Sequence, residues 1–143
     1  MASAVGILLV THNGLGNSLL DCVEHVLGGV PPHVRSLAVH ADEDPERKYA
    51  EGLALVAELD KGHGVLLLSD IYGATPSNIG RRLCESPRVS GVAGVNLPML
   101  LRVICCAGKT LPELELRAIE GGRDCIVPIN SEGNHAATGC PDH

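Results

Sequence analysis

The sequence predicts an α/β fold: an open, mostly parallel sheet with helices on both faces. Two observations carry that expectation. Short, branched apolar runs, Val5 to Val10 and Val65 to Ser69, alternate with segments whose apolar residues recur at helical spacing. The core must also be built from Leu, Val, Ile and Ala, because hydrophobic residues make up 45% of the chain while Trp and Phe are absent and Tyr occurs twice. Such a composition suits parallel strands covered on both sides.

Taken in order, VGILLVTHNGLG (Val5 to Gly16) reads as a strand running into a glycine-rich turn, so that His12 arrives at the strand's carboxyl end. Leu15 to Leu27 carries Leu19, Leu20, Val23 and Val26 at helical spacing and stops at Gly28-Gly29. After Pro31-Pro32, His33 to His40 forms a second strand and Ala41 to Pro45 an acidic loop. Glu46 to Leu59 is a helix with Tyr49, Leu53, Val56 and Leu59 on one face. Val65 to Ser69 is the third strand and delivers Asp70 to a turn. Pro76 then suits the first turn of a helix reaching about Glu85, with Thr75 placed to cap it. Val89 to Val95 is a glycine-rich fourth strand. Helices follow from Asn96 to about Ala107 and from Leu111 to Glu120, where Gly121-Gly122 read as a stop. DCIVPI (Asp124 to Ile129) reads as a short last strand, confined to an edge or terminus because Pro128 cannot donate to a ladder. These elements make one domain over residues 1–130. Residues 131–143 are polar and read as a disordered tail.

Composition narrows the function classes. A formal net charge of -6, with Lys and Arg spread along the chain, argues against nucleic acid and against an anionic membrane surface. Nothing reaches the length of a membrane span and no secretory leader is evident, so a cytoplasmic location is expected. The six cysteines lack C-x-x-C pairing and are read as small core residues in a reducing compartment, with no metal site. His25, His33, His40 and His63 are read as structural or solvent-facing. His135, Cys140 and His143 belong to the tail.

The chemistry converges at two strand ends. In the strand order 2-1-3-4 the first and third strands are neighbours about 4.8 Å apart, and winding reverses between them, so His12 and Asp70 meet at the switch point. A carboxylate beside one imidazole nitrogen fixes the proton there and frees the other nitrogen as nucleophile or base. Gly14, Gly16 and Gly73, with the first turns of two helices, offer backbone N–H groups to an anion. Histidine, orienting acid and anion cradle are what a phosphohistidine requires. The residues by themselves leave phosphoryl transfer and other His–Asp chemistry open.

Three motifs in register add to this reading. GILLVTHNGLG, GVLLLSDIYGATPSN and GVAGVNLPMLL strongly resemble the IIA component of the mannose family of the bacterial phosphotransferase system, over about Ala4 to Asn130. The resemblance implies a phosphoryl carrier that takes phosphate from phospho-HPr on His12 and passes it to a IIB component. Asp70 would be the hydrogen-bonded aspartate and Thr75 the loop hydroxyl at the phosphate. Asn13, Gly14, Gly73 and Ala74 would line the phosphate, with Asn96, Pro98 and Met99 on the partner rim, and no metal or other cofactor. It also implies a homodimer in which an antiparallel last strand, here Asp124 to Ile129, is exchanged. Asn13 stands where many members have Gly, and Gly-Ala-Thr-Pro replaces Gly-Gly-Ser-Pro.

Three rivals are set against it. One is the phosphoryl-donor subunit of a dihydroxyacetone kinase, whose first domain shares the motifs. A receiver-like module phosphorylated on Asp70 would need an acidic pair after the first strand to hold magnesium, and Thr11-His12 stands there. The third is a non-catalytic module for a nucleotide or small anion, against which stands the absence of G-x-G-x-x-G after a strand and of G-x-x-x-x-G-K-[ST].

Overall fold

The computed structural model describes residues 4–106 and 108–130. His135, Cys140 and His143, and the tail expected over residues 131–143, lie outside the described residues. Within them are nine elements, alternating as far as α4 and then closing with a second helix: β1 (Gly6–His12), α1 (Leu15–Leu27), β2 (Val34–Val39), α2 (Pro45–Leu59), β3 (Val65–Ser69), α3 (Thr75–Leu83), β4 (Val89–Ala93), α4 (Leu97–Cys105) and α5 (Leu111–Asp124). The strands form one parallel sheet in the order β2-β1-β3-β4, as expected.

Register follows from burial on both faces. In β1, Ile7 and Leu9 point to one side and Leu8 and Val10 to the other, and all four are fully buried. The first pair joins Leu66, Leu68, Val23, Leu100, Val103 and Leu114 beneath α1, α4 and α5. The second joins Leu37, Val39, Leu67, Leu59, Ile79 and Leu83 beneath α2 and α3. A one-residue slip would exchange these two cores, so the pairing of Ile7 with Leu66 and of His12 with Val39 is strongly specified.

Helix starts follow from local hydrogen bonding. Asp44 caps α2 by accepting from Glu46 N at 3.1 Å, which lets Pro45 serve as the first helical residue rather than the end of a loop. Asn96 caps α4 through Met99 N at 2.9 Å, and Thr110 and Glu113 make a reciprocal capping box on α5.

Three expectations are corrected. The glycine pair does not stop α5: Gly121 and Gly122 are buried inside the helix, and a Cβ there would lie 2.9 Å from Arg102 Cβ and 2.8 Å from Met99 Cε. They are the close crossing with α4, so the helix runs on to Asp124. The segment after Asp124 makes no strand in the single chain, and Ile126, Val127 and Ile129 are exposed with no ladder to join. Finally, Thr75 does not cap α3. Ala74 occupies the cap position with extended backbone, and Thr75 is already helical. Among the described cysteines, Cys22, Cys84, Cys106 and Cys125 are free thiols.

Candidate functional site

The site assembles at the carboxyl ends of β1, β2 and β3. His12 is the last residue of β1, and Asp70 follows β3 directly. Because these strands are adjacent and parallel, the two side chains reach the same edge: His12 Nδ1 lies 2.8 Å from Asp70 Oδ2. The same oxygen accepts the backbone N–H of His12 at 2.9 Å, while Oδ1 accepts Ile71 N–H at 3.0 Å. Asp70 is thus held by three donors. Burial pushes its carboxyl group upward, but the backbone and ring bonds from His12 outweigh that, and the group sits below the usual carboxylate range. An ionised carboxylate can only accept, so it places the ring proton on Nδ1 and leaves Nε2 with its lone pair. The Asp70 side chain is 10% exposed and that of His12 46%, so the acid is sheltered and the imidazole open to a visitor.

Around this pair the two turns are built differently. Thr11 is fully buried, and its Oγ1 accepts Gly16 N–H at 2.9 Å, turning the chain from strand into α1. Gly16 is required there: a Cβ would stand 2.3 Å from Ser36 Oγ. Asn13 adopts left-handed backbone, φ 49°, and donates its N–H to Val39 O at 3.0 Å. Gly14 is the cap residue of α1 and has no side chain to cap it; Thr11 Oγ1 takes the Gly16 N–H, and the other first-turn N–H groups have no intrahelical partner. In the second turn Gly73 has φ 91° and donates to Ser77 Oγ at 2.7 Å, while that hydroxyl donates to Ala74 O at 3.1 Å.

A cleft of about 370 Å³ joins these parts, lined by His12, Asn13, His40, Glu43, Thr75 and Pro76 among others. The expected residues His12, Asp70, Asn13 and Thr75 therefore converge, with Gly14, Gly73 and Ala74 in the adjoining turns. The expected partner rim behaves differently. Met99 is 4% exposed and packs in the core, and Asn96 spends both ends of its amide on Met99 N and Gly122 O. Arg82, on α3, is paired with Glu46 at 2.7 Å and stacked 3.9 Å over Tyr49.

Two residues at the site were not anticipated. Ser77 ties Gly73 to Ala74, although the hydroxyl was assigned to its neighbour Thr75. His40, expected to be structural or solvent-facing, stands one residue beyond β2 on the wall of the cleft. The strand order itself held the signal, since β2 flanks β1 and its carboxyl end must share the crevice.

An open parallel sheet that brings histidine and aspartate together at its switch point, with glycine-containing turns around them, defines a doubly wound α/β protein with a carboxylate-held imidazole in its crevice. Comparison with known families gives the particular one. Residues 6–118 match the EIIA-man family, described as "PTS system fructose IIA component", and the chain belongs to that family. The mannose-specific EIIAB component of Escherichia coli K12 is 28% identical over 140 residues, 96% of this chain and 43% of that protein. The fructose-specific EIIA component of Bacillus subtilis is 40% identical over 60 residues, 41% of this chain and 39% of that protein. The chain thus matches less than half the length of each of these curated relatives. The mannose/sorbose-specific IIA subunit of Enterococcus faecalis has the same fold, with a TM-score of 0.78 and 20% identity over 92% of this chain and 99% of that one. A IIA protein associated with the fucose utilization operon of Streptococcus pneumoniae aligns with a TM-score of 0.71 at 28% identity, over 84% and 93% of the two chains.

Proposed function

We propose that the chain is a phosphoryl carrier of the phosphoenolpyruvate-dependent sugar phosphotransferase system, taking phosphate from phospho-HPr on His12 and handing it to a IIB component. The observation that carries this reading is the 2.8 Å contact between His12 Nδ1 and Asp70 Oδ2, which supports attack by the opposite ring nitrogen. Nε2 of His12 attacks the phosphorus in line, and the bond from phosphorus to the HPr histidine breaks as the new one forms. Asp70 stabilises the positive charge that the His12 ring gains. Phosphoryl transfer asks mainly for positioning and charge stabilisation. The Asn13 and Gly73 N–H groups are committed to Val39 O and Ser77 Oγ, so the Gly14 and Ala74 N–H groups and the Thr75 hydroxyl would supply that stabilisation, with Asn13 and Gly73 shaping the turns. The scheme needs no metal or other cofactor. The carrier would work in the cytoplasm as a homodimer over residues 1–130, with Asp124 to Ile129 exchanged between copies. The exposed Ile126, Val127 and Ile129 favour such a partnering. Of the residues first assigned to the rim, Met99 is buried and the Asn96 amide is spent on Met99 N and Gly122 O, which leaves half-buried Pro98 for that role.

Incubation with Enzyme I, HPr and phosphoenolpyruvate tests the reading. One phosphoryl group should appear by intact mass, be lost in acid, survive base, and map to His12. His12→Ala should take none. A label that resists acid, is lost in base, or persists in the alanine variant ends the proposal.

A further inference from the structure

We propose that His40 is a second histidine of the phosphoryl site, a positioning residue whose imidazole is held by Asn13 and donates a hydrogen bond to the phosphoryl group carried on His12. The inference rests on the carrier reading above and adds a residue to it.

The geometry begins with the backbone. Asn13 is the non-glycine residue with positive φ among the described residues, and it sits directly after the nucleophile. Asn is among the side chains that adopt this conformation most readily, so the turn can carry an amide beside the nucleophile where glycine would carry none. What it does is visible: Asn13 Oδ1 lies 3.1 Å from His40 Nδ1. The two residues are far apart in sequence and meet because β1 and β2 are parallel neighbours, His12 pairing with Val39, the residue before His40. The Asn13 N–H is fixed to Val39 O as well, so backbone and side chain both tie the phosphate turn to the end of β2.

His40 is held from its other side by the loop before α2, where its backbone N–H is accepted by Glu43 Oε1 at 2.8 Å. With Nδ1–H given to Asn13 Oδ1, the open position of the ring is Nε2. His40, His12 and Thr75 line the same cleft. A phosphoryl group on His12 brings negatively charged oxygens into that cleft. His40 Nε2 then takes a proton from solvent and donates it in a hydrogen bond to one of those oxygens, so that an imidazolium faces the anion.

The charged and titratable groups around the ring are few. His12 faces it from β1, with its own Nδ1 committed to Asp70. Glu43 faces it from the loop, and its second oxygen is 3.4 Å from Lys48 Nζ, which also bonds Glu51 at 2.9 Å. From α3 come Thr75 and Pro76, neither of which titrates in this range. Glu43 is present before and after loading, so a change in His40 on phosphorylation reports the phosphoryl group.

The test uses the full chain, loaded with Enzyme I, HPr and phosphoenolpyruvate, and follows the His40 ring by NMR through a pH titration with and without the phosphoryl group on His12. The titration midpoint of His40 should move upward on loading. In parallel, His40→Ala should load about tenfold more slowly, the size of one charge-assisted hydrogen bond. His40→Gln, which keeps a donor, should recover part of that rate. Asn13→Gly, which relieves the backbone but releases the ring, should lose rate in the same way as His40→Ala and add nothing to it. An unmoved His40 midpoint, or a His40→Ala chain that loads at the wild-type rate, overturns the inference and leaves the carrier reading standing. A wild-type chain that takes no phosphoryl group overturns both.

Discussion

Replacing Asp70 by Asn tests the structure where its chemistry is most concentrated. The carboxylate accepts from three donors: the backbone N–H and Nδ1–H of His12 at one oxygen, and Ile71 N–H at the other. An amide has one oxygen and one NH₂, so either orientation sets a donor against a donor. If its oxygen faces His12, the NH₂ confronts Ile71 N–H; if reversed, the NH₂ pushes the proton from His12 Nδ1 to Nε2 and blocks the nucleophile. The backbone bonds are the same before and during transfer, so their loss falls on stability, at about 1–2 kcal/mol. The ring bond strengthens only as His12 becomes positive. Two unit charges 4 Å apart attract by about 4 kcal/mol at an effective dielectric constant near 20. The ring is 46% exposed and the acid 10%, so solvent screening brings this to about 2–3 kcal/mol. That corresponds to transfer roughly 30- to 150-fold slower. Single-turnover transfer from labelled phospho-HPr in a rapid-quench instrument, with urea unfolding of the same variant, measures both quantities. A folded Asp70→Asn chain that transfers within twofold of wild type refutes the orienting role.

Other expectations follow from the same geometry. Gly16→Ala should destabilise the chain by about 2 kcal/mol in urea unfolding, because its Cβ meets Ser36 Oγ at 2.3 Å and Thr11 Oγ1 at 3.0 Å; an unchanged midpoint contradicts that crowding. Thr75→Ala should slow transfer by about tenfold with stability nearly unchanged, since the side chain lines the cleft and is exposed; equal rates remove the hydroxyl from the site. Asp60 is held well below its ordinary value of 3.8, first by the Arg88 guanidinium and then, against burial, by Gly62 and Gly64 N–H. A carboxyl group lowered in the folded state adds stability that is complete above 3.8 and is lost as pH falls below it toward the folded value. Acid unfolding should therefore steepen below that point, and Arg88→Ala should flatten the acid limb, whereas an identical limb in the variant would exclude the pair.

Much of this architecture is legible in the residues because the sheet is buried on both sides. Branched runs such as Gly6–Val10 and Val65–Leu68 have no other stable use, and their ends place His12 and Asp70 before any coordinates are known. What is not legible comes from letters with two physical meanings. Gly121-Gly122 reads as a helix stop, but a pair of missing side chains also permits close crossing of helices, and the contact with Arg102 and Met99 decides for the latter. Met99 sits in a motif that suggests a surface, yet its helix presents it inward. Ser77 and Thr75 both carry hydroxyls in one turn, and only backbone geometry shows that Ser77 bonds Gly73. His40 escapes notice because a histidine at a strand end has no pattern of its own. It needs the strand order together with the unusual backbone of Asn13.

One oxygen of Asp70 holds both the ring and the main chain of His12, so the imidazole is tied to one place on the sheet edge. If the chain works as the carrier proposed above, this build offers a single doorway, and the protein delivering cargo and the protein collecting it would have to queue for it. Throughput should rise with the amount of collector only to a point, then fall as idle collectors stand in the entrance.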